Sequence, residues 1–258
     1  MRVCAVQMPH GDSLEENLRR ARDMLADAAA RGAALALLPE YFFAVFPGGP
    51  PASAPHAPRI RAMMADASRE LGLVVAGNVI EGEGERYANV GVAFEAGRLV
   101  LEQAKVHPMP REAAAGVAGG PSFRAARVGG HDTGMLVCAD VLYPEAARVL
   151  SLQGAEILLN PVMSPWREED DGREARVAMY VARAYDAGAF VLKAAGHKRG
   201  AVAGRSLIAA PWGVLARASD DFATELVLAE LDFAKLRAFR EKQAQFPPRR
   251  PEAYQGLL

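Results

Sequence analysis

The segment Val3 to Met8 is apolar apart from Gln7, and beyond Asp12 apolar and polar positions recur at helical spacing as far as Gly32. The run predicts a first strand. The periodic stretch predicts a helix capped by Asp12 and Ser13, with Ser13 and Glu16 in capping-box spacing and Gly32 at its end. Leu35 to Leu38 form a short buried strand in this reading, leading into Pro39 and Glu40. The segment YFFAVFPGGPPASAPHAPR that follows is too rich in Pro and Gly for regular structure, and long loops of this kind commonly carry function.

A second helix is expected over Arg59 to Leu71, closed by Gly72, and then three strands at Leu73 to Val79, Asn89 to Glu95 and Leu99 to Val106. The alternation resumes with strand Met135 to Val137, helix Pro144 to Gln153, strand Ile157 to Leu159, helix Arg173 to Ala187 and strand Phe190 to Ala194. Strands Ser206 to Ala209 and Glu225 to Leu231, a helix Phe233 to Lys242 and a Pro- and Arg-rich tail complete the chain. GAALALLPE at Gly32 to Glu40 echoes GAEILLNP at Gly154 to Pro161, a hint of two similar α-β halves. Such an order predicts an α/β fold of two packed sheets with helices on their outer faces. No linker divides residues 1–258, so a single domain is expected.

Composition narrows the partners. Thirty Lys and Arg against 31 Asp and Glu leave a net charge of -1, too little to gather phosphate backbones, so nucleic acid is not an expected partner. The 258 residues, 51% of them hydrophobic, suffice for a sizeable core. No run of eighteen apolar residues occurs, and MRVCAVQMPHGD meets a proline and an acid before any long apolar segment, which argues against a membrane span or signal peptide. Cys4 and Cys138 read as reduced thiols, and a cytoplasmic location is expected. His10, His56, His131 and His197 show no metal-ligand spacing, and the glycines of PGGPP and AGVAGG lack a nucleotide-binding context, so neither metal nor cofactor is expected. The acidic run Arg167-Glu168-Glu169-Asp170-Asp171 reads as a solvated loop near Trp166.

Three elements end on a reactive side chain: LLPEYF on Glu40, LEQAKVHP on Lys105 and LVCADVLYPE on Cys138. Strand ends are where α/β folds assemble sites. Singly, each has a plain alternative: a solvated loop acid, a surface lysine, and a small buried thiol. Together, in this order, they resemble the nitrilase superfamily of carbon-nitrogen hydrolases. The landmarks are Gln7, Gly154-Ala155, Asn160-Pro161, Arg183-Ala184, Gly204-Arg205-Ser206, Pro211-Trp212-Gly213 and Arg249-Arg250-Pro251. Tyr185-Asp186 and Leu142 depart from the family pattern.

The resemblance implies a four-layer α-β-β-α sandwich and thiol-dependent hydrolysis of a non-peptide carbon-nitrogen bond in a small linear amide. Cys138 would form a thioester, Glu40 would move protons, and Lys105 with the Ala139 backbone N–H would hold the oxyanion. Glu112 would support Lys105 from the loop HPMPREAAAG, or be only a polar loop residue. A thiolate at Cys138 would draw on the helix opened by Pro144 and on the lysine charge. Asp140 is expected to cap the turn, and His107 to pack or hydrogen-bond. Pocket walls would come from Tyr41 and Phe46 and from Val162, Met163 and Trp166. Hydrolysis of N-carbamoyl compounds or nitriles, or a catalytically silent assembly module, are the alternatives. A homodimer is implied, with the tail at residues 245–258 contributing.

Overall fold

The computed structural model describes residues 1–44, 49–166, 172–244 and 248–257. In chain order the first half holds β1 (Arg2–Gln7), α1 (Leu14–Ala30), β2 (Leu35–Leu37), α2 (Gly49–Ser53), α3 (Ala57–Leu71), β3 (Val74–Glu83), β4 (Arg86–Glu95), β5 (Arg98–Ala104) and α4 (Pro110–Ala114). The second half holds β6 (Ala126–Val128), β7 (His131–Met135), α5 (Pro144–Leu152), β8 (Ile157–Val162), β9 (Ser164–Pro165), α6 (Arg173–Ala187), β10 (Phe190–Ala195), β11 (Val202–Ala203), β12 (Leu207–Ala210), β13 (Gly213–Arg217), β14 (Glu225–Glu230) and α7 (Phe233–Gln243).

Two six-stranded mixed sheets result, in the orders β14-β1-β2-β3-β4-β5 and β13-β12-β10-β8-β7-β6. Strand alternation sorts their side chains into three apolar layers. Val3, Ala5, Leu35 and Leu37 meet Val137, Ile157, Leu159, Phe190 and Leu192 between the sheets. Cys4, Val6, Ala36 and Leu38 instead face Leu18, Leu25, Ile60 and Met64 of α1 and α3. Leu158 and Val191 face Ala146, Leu150, Tyr180 and Ala184 of α5 and α6. The order of layers is therefore helix, sheet, sheet, helix.

Ser13 accepts from the Glu16 backbone N–H at the start of α1, and Gly72 turns left-handed (φ 67°) to end α3. The Pro-rich segment differs from expectation. Its described part holds α2 and a 3-10 turn over Ala54–His56, and α3 begins at Ala57, because proline at the first turn of a helix forfeits no hydrogen bond. Glu112, expected in a loop, lies in α4 behind Pro110 for the same reason. The short strands β6, β9, β11 and β13 carry no alternation long enough to have been read in advance. Phe46, the acidic run at 167–171 and tail residues 245–247 and 258 lie outside the described residues. No described helix is long and apolar enough to cross a membrane.

Candidate active site

Glu40 stands three residues past β2, Lys105 directly follows β5, and Cys138 stands three residues past β7. The first two are 1% exposed, while Cys138 as a residue is half-buried. The Lys105 Nζ donates to Glu40 Oε1 at 2.9 Å and to Glu112 Oε2 at 2.6 Å. Glu40 also shares a hydrogen bond with Cys138. All four residues thus form one connected cluster.

Two asparagines, passed over in the sequence, hold the cluster together. Asn89 Nδ2 donates to Glu40 Oε1 at 2.8 Å and to Glu112 Oε1 at 2.9 Å, and its Oδ1 accepts from Asn78 Nδ2 at 2.8 Å. Asn78 Oδ1 accepts the Tyr41 backbone N–H at 2.8 Å, fixing the chain just after Glu40, where Tyr41 is left-handed (φ 55°). Tyr41 is the residue expected in a pocket wall. It is buried, and its hydroxyl donates to Glu112 Oε1 at 3.0 Å. The Met163 N–H donates to Glu40 Oε2 at 3.0 Å and also bonds the Cys138 sulfur.

Cys138 opens a 3-10 turn, Cys138–Leu142, and is itself left-handed (φ 49°). A non-glycine residue keeps that conformation only where its surroundings enforce it. Asp140 supplies one restraint: its Oδ2 accepts from Val137 N at 3.1 Å and Val106 N at 3.3 Å, and its Oδ1 from His107 N at 2.9 Å. This carboxylate therefore ties the Lys105 strand end to the cysteine turn as well as capping it. His107 stacks on Tyr143 at 3.7 Å between ring centres and reaches Asp140 Oδ1 through Nδ1. Arg183 donates to the carbonyls of Val141 (2.9 Å) and Leu142 (3.1 Å). Asn160 Nδ2 donates to the Cys138 carbonyl at 3.2 Å, and Asn160 Oδ1 accepts from Tyr180 OH at 2.7 Å.

Burial raises the Glu40 carboxyl, Lys105 opposing and Glu112 reinforcing the rise. Burial works against the Lys105 charge, yet Glu40, Cys138 and Glu112 outweigh it and hold the ammonium above its ordinary range. Burial also pushes the Cys138 thiol up, and the Glu40 charge adds to it. α5 begins at Pro144 as expected, but burial and the Glu40 charge oppose a resting thiolate more than the Lys105 charge favours it, and the sulfur is hydrogen-bonded to Glu40. Glu112 runs the other way; burial would raise it, but Lys105 and the Met109 N–H bond bring it below its ordinary value.

The carbon-nitrogen hydrolase family profile matches residues 2–241. The chain belongs to that family. It is 27% identical to an N-carbamoylputrescine amidase of Solanum lycopersicum over 99% of this chain and 94% of the relative. It is 26% identical to a nitrilase of Pyrococcus abyssi (strain GE5 / Orsay) over 98% and 99%. A carbon-nitrogen hydrolase from Helicobacter pylori G27 has the same fold, with a TM-score of 0.90 at 22% identity over 100% of this chain and 98% of the other. Within the family fold, both departures noted in the sequence lie on the surface: Leu142 and Tyr185 are exposed, and the Tyr185 ring packs edge-on against Phe239 at 5.4 Å. Of the other residues expected at a pocket, Val162 is buried at the end of β8, Met163 is half-buried, and the half-buried Trp166 leans on Phe222 at 6.2 Å.

Proposed function

We propose that Cys138, Glu40 and Lys105 hydrolyse a small linear amide through a thioester, releasing ammonia or an amine. The observation that carries this reading is the closed cluster in which one ammonium bridges two buried carboxylates beside a half-buried cysteine with a left-handed backbone. The Cys138 proton passes to Glu40 as sulfur attacks the carbonyl carbon, and the oxyanion is held by Lys105 and the Ala139 N–H, donors typically worth about 3 to 4 kcal/mol each. Glu40 then delivers its proton to the departing nitrogen, leaving the thioester. A water gives its proton to Glu40 as it attacks the thioester carbon, and collapse returns a proton to the sulfur and frees the acid. Glu112 keeps Lys105 charged and aimed throughout.

Purified protein assayed for ammonia release on carboxamides, N-carbamoyl compounds and nitriles is expected to turn over carboxamides, and Cys138→Ala to show none. Folded wild-type protein inactive on the whole panel would defeat the reading. Iodoacetamide is expected to label Cys138, which has the Glu40 carboxyl hydrogen-bonded to its sulfur to take the proton, ahead of Cys4, which is fully buried.

A cytoplasmic homodimer of single-domain chains fits the same reading. Leu142, Tyr143, Val149, Leu152 and Tyr185 are exposed on or beside α5 and α6, an apolar outer face suited to a second copy of the chain.

A further inference from the structure

Beside the cysteine turn lies a second group of ionisable side chains that the steps above leave unused. Lys193 sits in FVLKAA, a strand whose other residues are all apolar, and it is 4% exposed. It pairs in register with Asn160 on β8, the residue that holds the Cys138 carbonyl. Its Nζ makes one long hydrogen bond, 3.4 Å to the Gly204 carbonyl, and lies 5.6 Å from the centre of the Tyr180 ring. Among the described residues no carboxylate forms an ion pair with it. A buried ammonium has three donors to satisfy and ordinarily keeps a counter-ion.

The surroundings explain what is missing. Burial and the charges of Arg205 and Arg176 hold the Lys193 ammonium down to about 7, while Cys138 and Asp221 pull weakly the other way. Asp221 is already engaged: its two oxygens accept from Arg205 Nε and Nη2 at 2.9 Å each, and its Oδ2 also from Arg173 Nη2 at 2.9 Å. Lys193 lines a tight cleft with about 20 Å³ of enclosed space, together with Ser164, Arg173, Arg176, Tyr180 and Arg205. Positive groups grade from Arg173 and Arg176 at the exposed rim, through half-buried Arg205, to Lys193 at the bottom. Two lining residues tie the cleft to the cluster: Ser164 adjoins Met163, whose N–H bonds Glu40, and the Tyr180 hydroxyl donates to Asn160, which holds the Cys138 carbonyl.

We propose that this cleft binds the carboxylate of a small linear amide whose carbonyl carbon lies at Cys138. The inference rests on the hydrolase reading above and narrows its substrates to amides that carry a negative charge. A carboxylate on Lys193 supplies the counter-ion the fold omits, in a setting dry enough for one charge contact to matter. Two strand spacings, about 10 Å, separate β7 from β10, the span of a short aliphatic chain. An amide with a cationic far end would meet the Lys193 ammonium with like charge and be disfavoured, Arg205 being already paired with Asp221. Binding of the acid favours protonated Lys193, so affinity for the acid falls as pH rises through the range where free Lys193 titrates, with Arg173, Arg176, Arg205, Tyr180, Asp221 and Cys138 as the other charged or titratable groups around it.

The test compares kcat/KM for the monoamides of malonic, succinic and glutaric acid, each against its neutral methyl ester, on both sides of neutral pH, in wild type, Lys193→Met and Lys193→Arg. The expected result is an acid preference of about tenfold or more for the best pair, the size of one desolvated charge contact, expressed in KM and shrinking as pH rises. Lys193→Met should remove most of that preference and Lys193→Arg keep part of it. Esters hydrolysed as well as acids in every pair, a preference unchanged in Lys193→Met, or turnover of neither member of any pair while another carboxamide is hydrolysed, overturn the subsite and leave the hydrolase reading standing; inactivity on these pairs and on the whole panel above overturns both. Should the variants fail to fold, succinate and 1,4-diaminobutane are compared as inhibitors of wild type acting on a neutral amide. Stronger inhibition by succinate is expected, and stronger inhibition by the diamine refutes the subsite.

Discussion

One amide nitrogen, Asn89 Nδ2, donates to both Glu40 and Glu112, so the two carboxylates sit close enough to feel each other's charge. Glu112 is one of the influences that raise Glu40. Replacing it by glutamine should therefore move the acid limb of the kcat/KM profile to lower pH, because Glu40 then deprotonates more readily. The same change removes one charged hydrogen bond from Lys105, about 1.5 to 3 kcal/mol, and kcat should drop by roughly ten- to a hundredfold. A glutamate that only held α4 in place would leave the limb where it was. Lys193 makes the opposite case. Its folded-state value of about 7 lies below the ordinary 10.5, so the penalty of burying its charge is full below pH 7 and disappears above the ordinary value. Lys193→Met should raise the melting temperature at pH 7 or below, by on the order of 2 kcal/mol of added stability, and the gain should fade as pH rises in thermal unfolding runs. Loss of stability at every pH would mark the lysine as part of the core packing.

Asp140 joins two elements that share no strand pairing, the end of β5 and the turn after β7, through three backbone N–H groups. An asparagine offers one oxygen in place of two, so Asp140→Asn must orphan at least one buried donor. A loss of about 1 to 3 kcal/mol in denaturant unfolding is expected, with a fall in kcat as Cys138 loses its fixed turn. If unfolding is unchanged, the clasp role is wrong. These links explain what could be read from the chain alone. Helices such as Arg173–Ala187 announce themselves by period and by Gly188 at the end, and strand ends by a charged residue after an apolar run. Asn78 and Asn89 were passed over because each lies inside an apolar strand, where pattern reading assigns the segment and ignores the exception. The exception was the signal: a polar side chain in VVAGNVI, YANVGVAF or FVLKAAG costs free energy unless something answers it. Which carboxylate answers Asn89 depends on how β4 is set against β2 and α4, and spacing along one chain does not encode that.

At the scale of the molecule the two sheets are copies of one plan. Parallel β1-β2-β3 followed by antiparallel β4-β5, with antiparallel β14 on the far edge, matches parallel β7-β8-β10 followed by antiparallel β12-β13, with β6 on the far edge. The echo between GAALALLPE and GAEILLNP is thus a correspondence of β2 with β8. Glu40, Lys105 and Glu112 come from the first half and Cys138 from the second, so neither half holds the site alone. The outer face of α5 makes a further prediction: gel filtration should give a dimer, and Val149→Glu with Leu152→Glu should shift it toward a monomer, whereas an unchanged elution would place any interface elsewhere. Finally, β1 pairs with β14 from Arg2↔Glu230 to Gln7↔Glu225, and the terminal ammonium donates to the Leu231 carbonyl at 3.1 Å. During synthesis, at roughly 5 to 20 residues per second, the first strand waits about 10 to 45 s for its partner, with one backbone edge open to a neighbouring nascent chain. Yield on overexpression should accordingly respond to translation speed and chaperone supply more than to the stability of the finished protein.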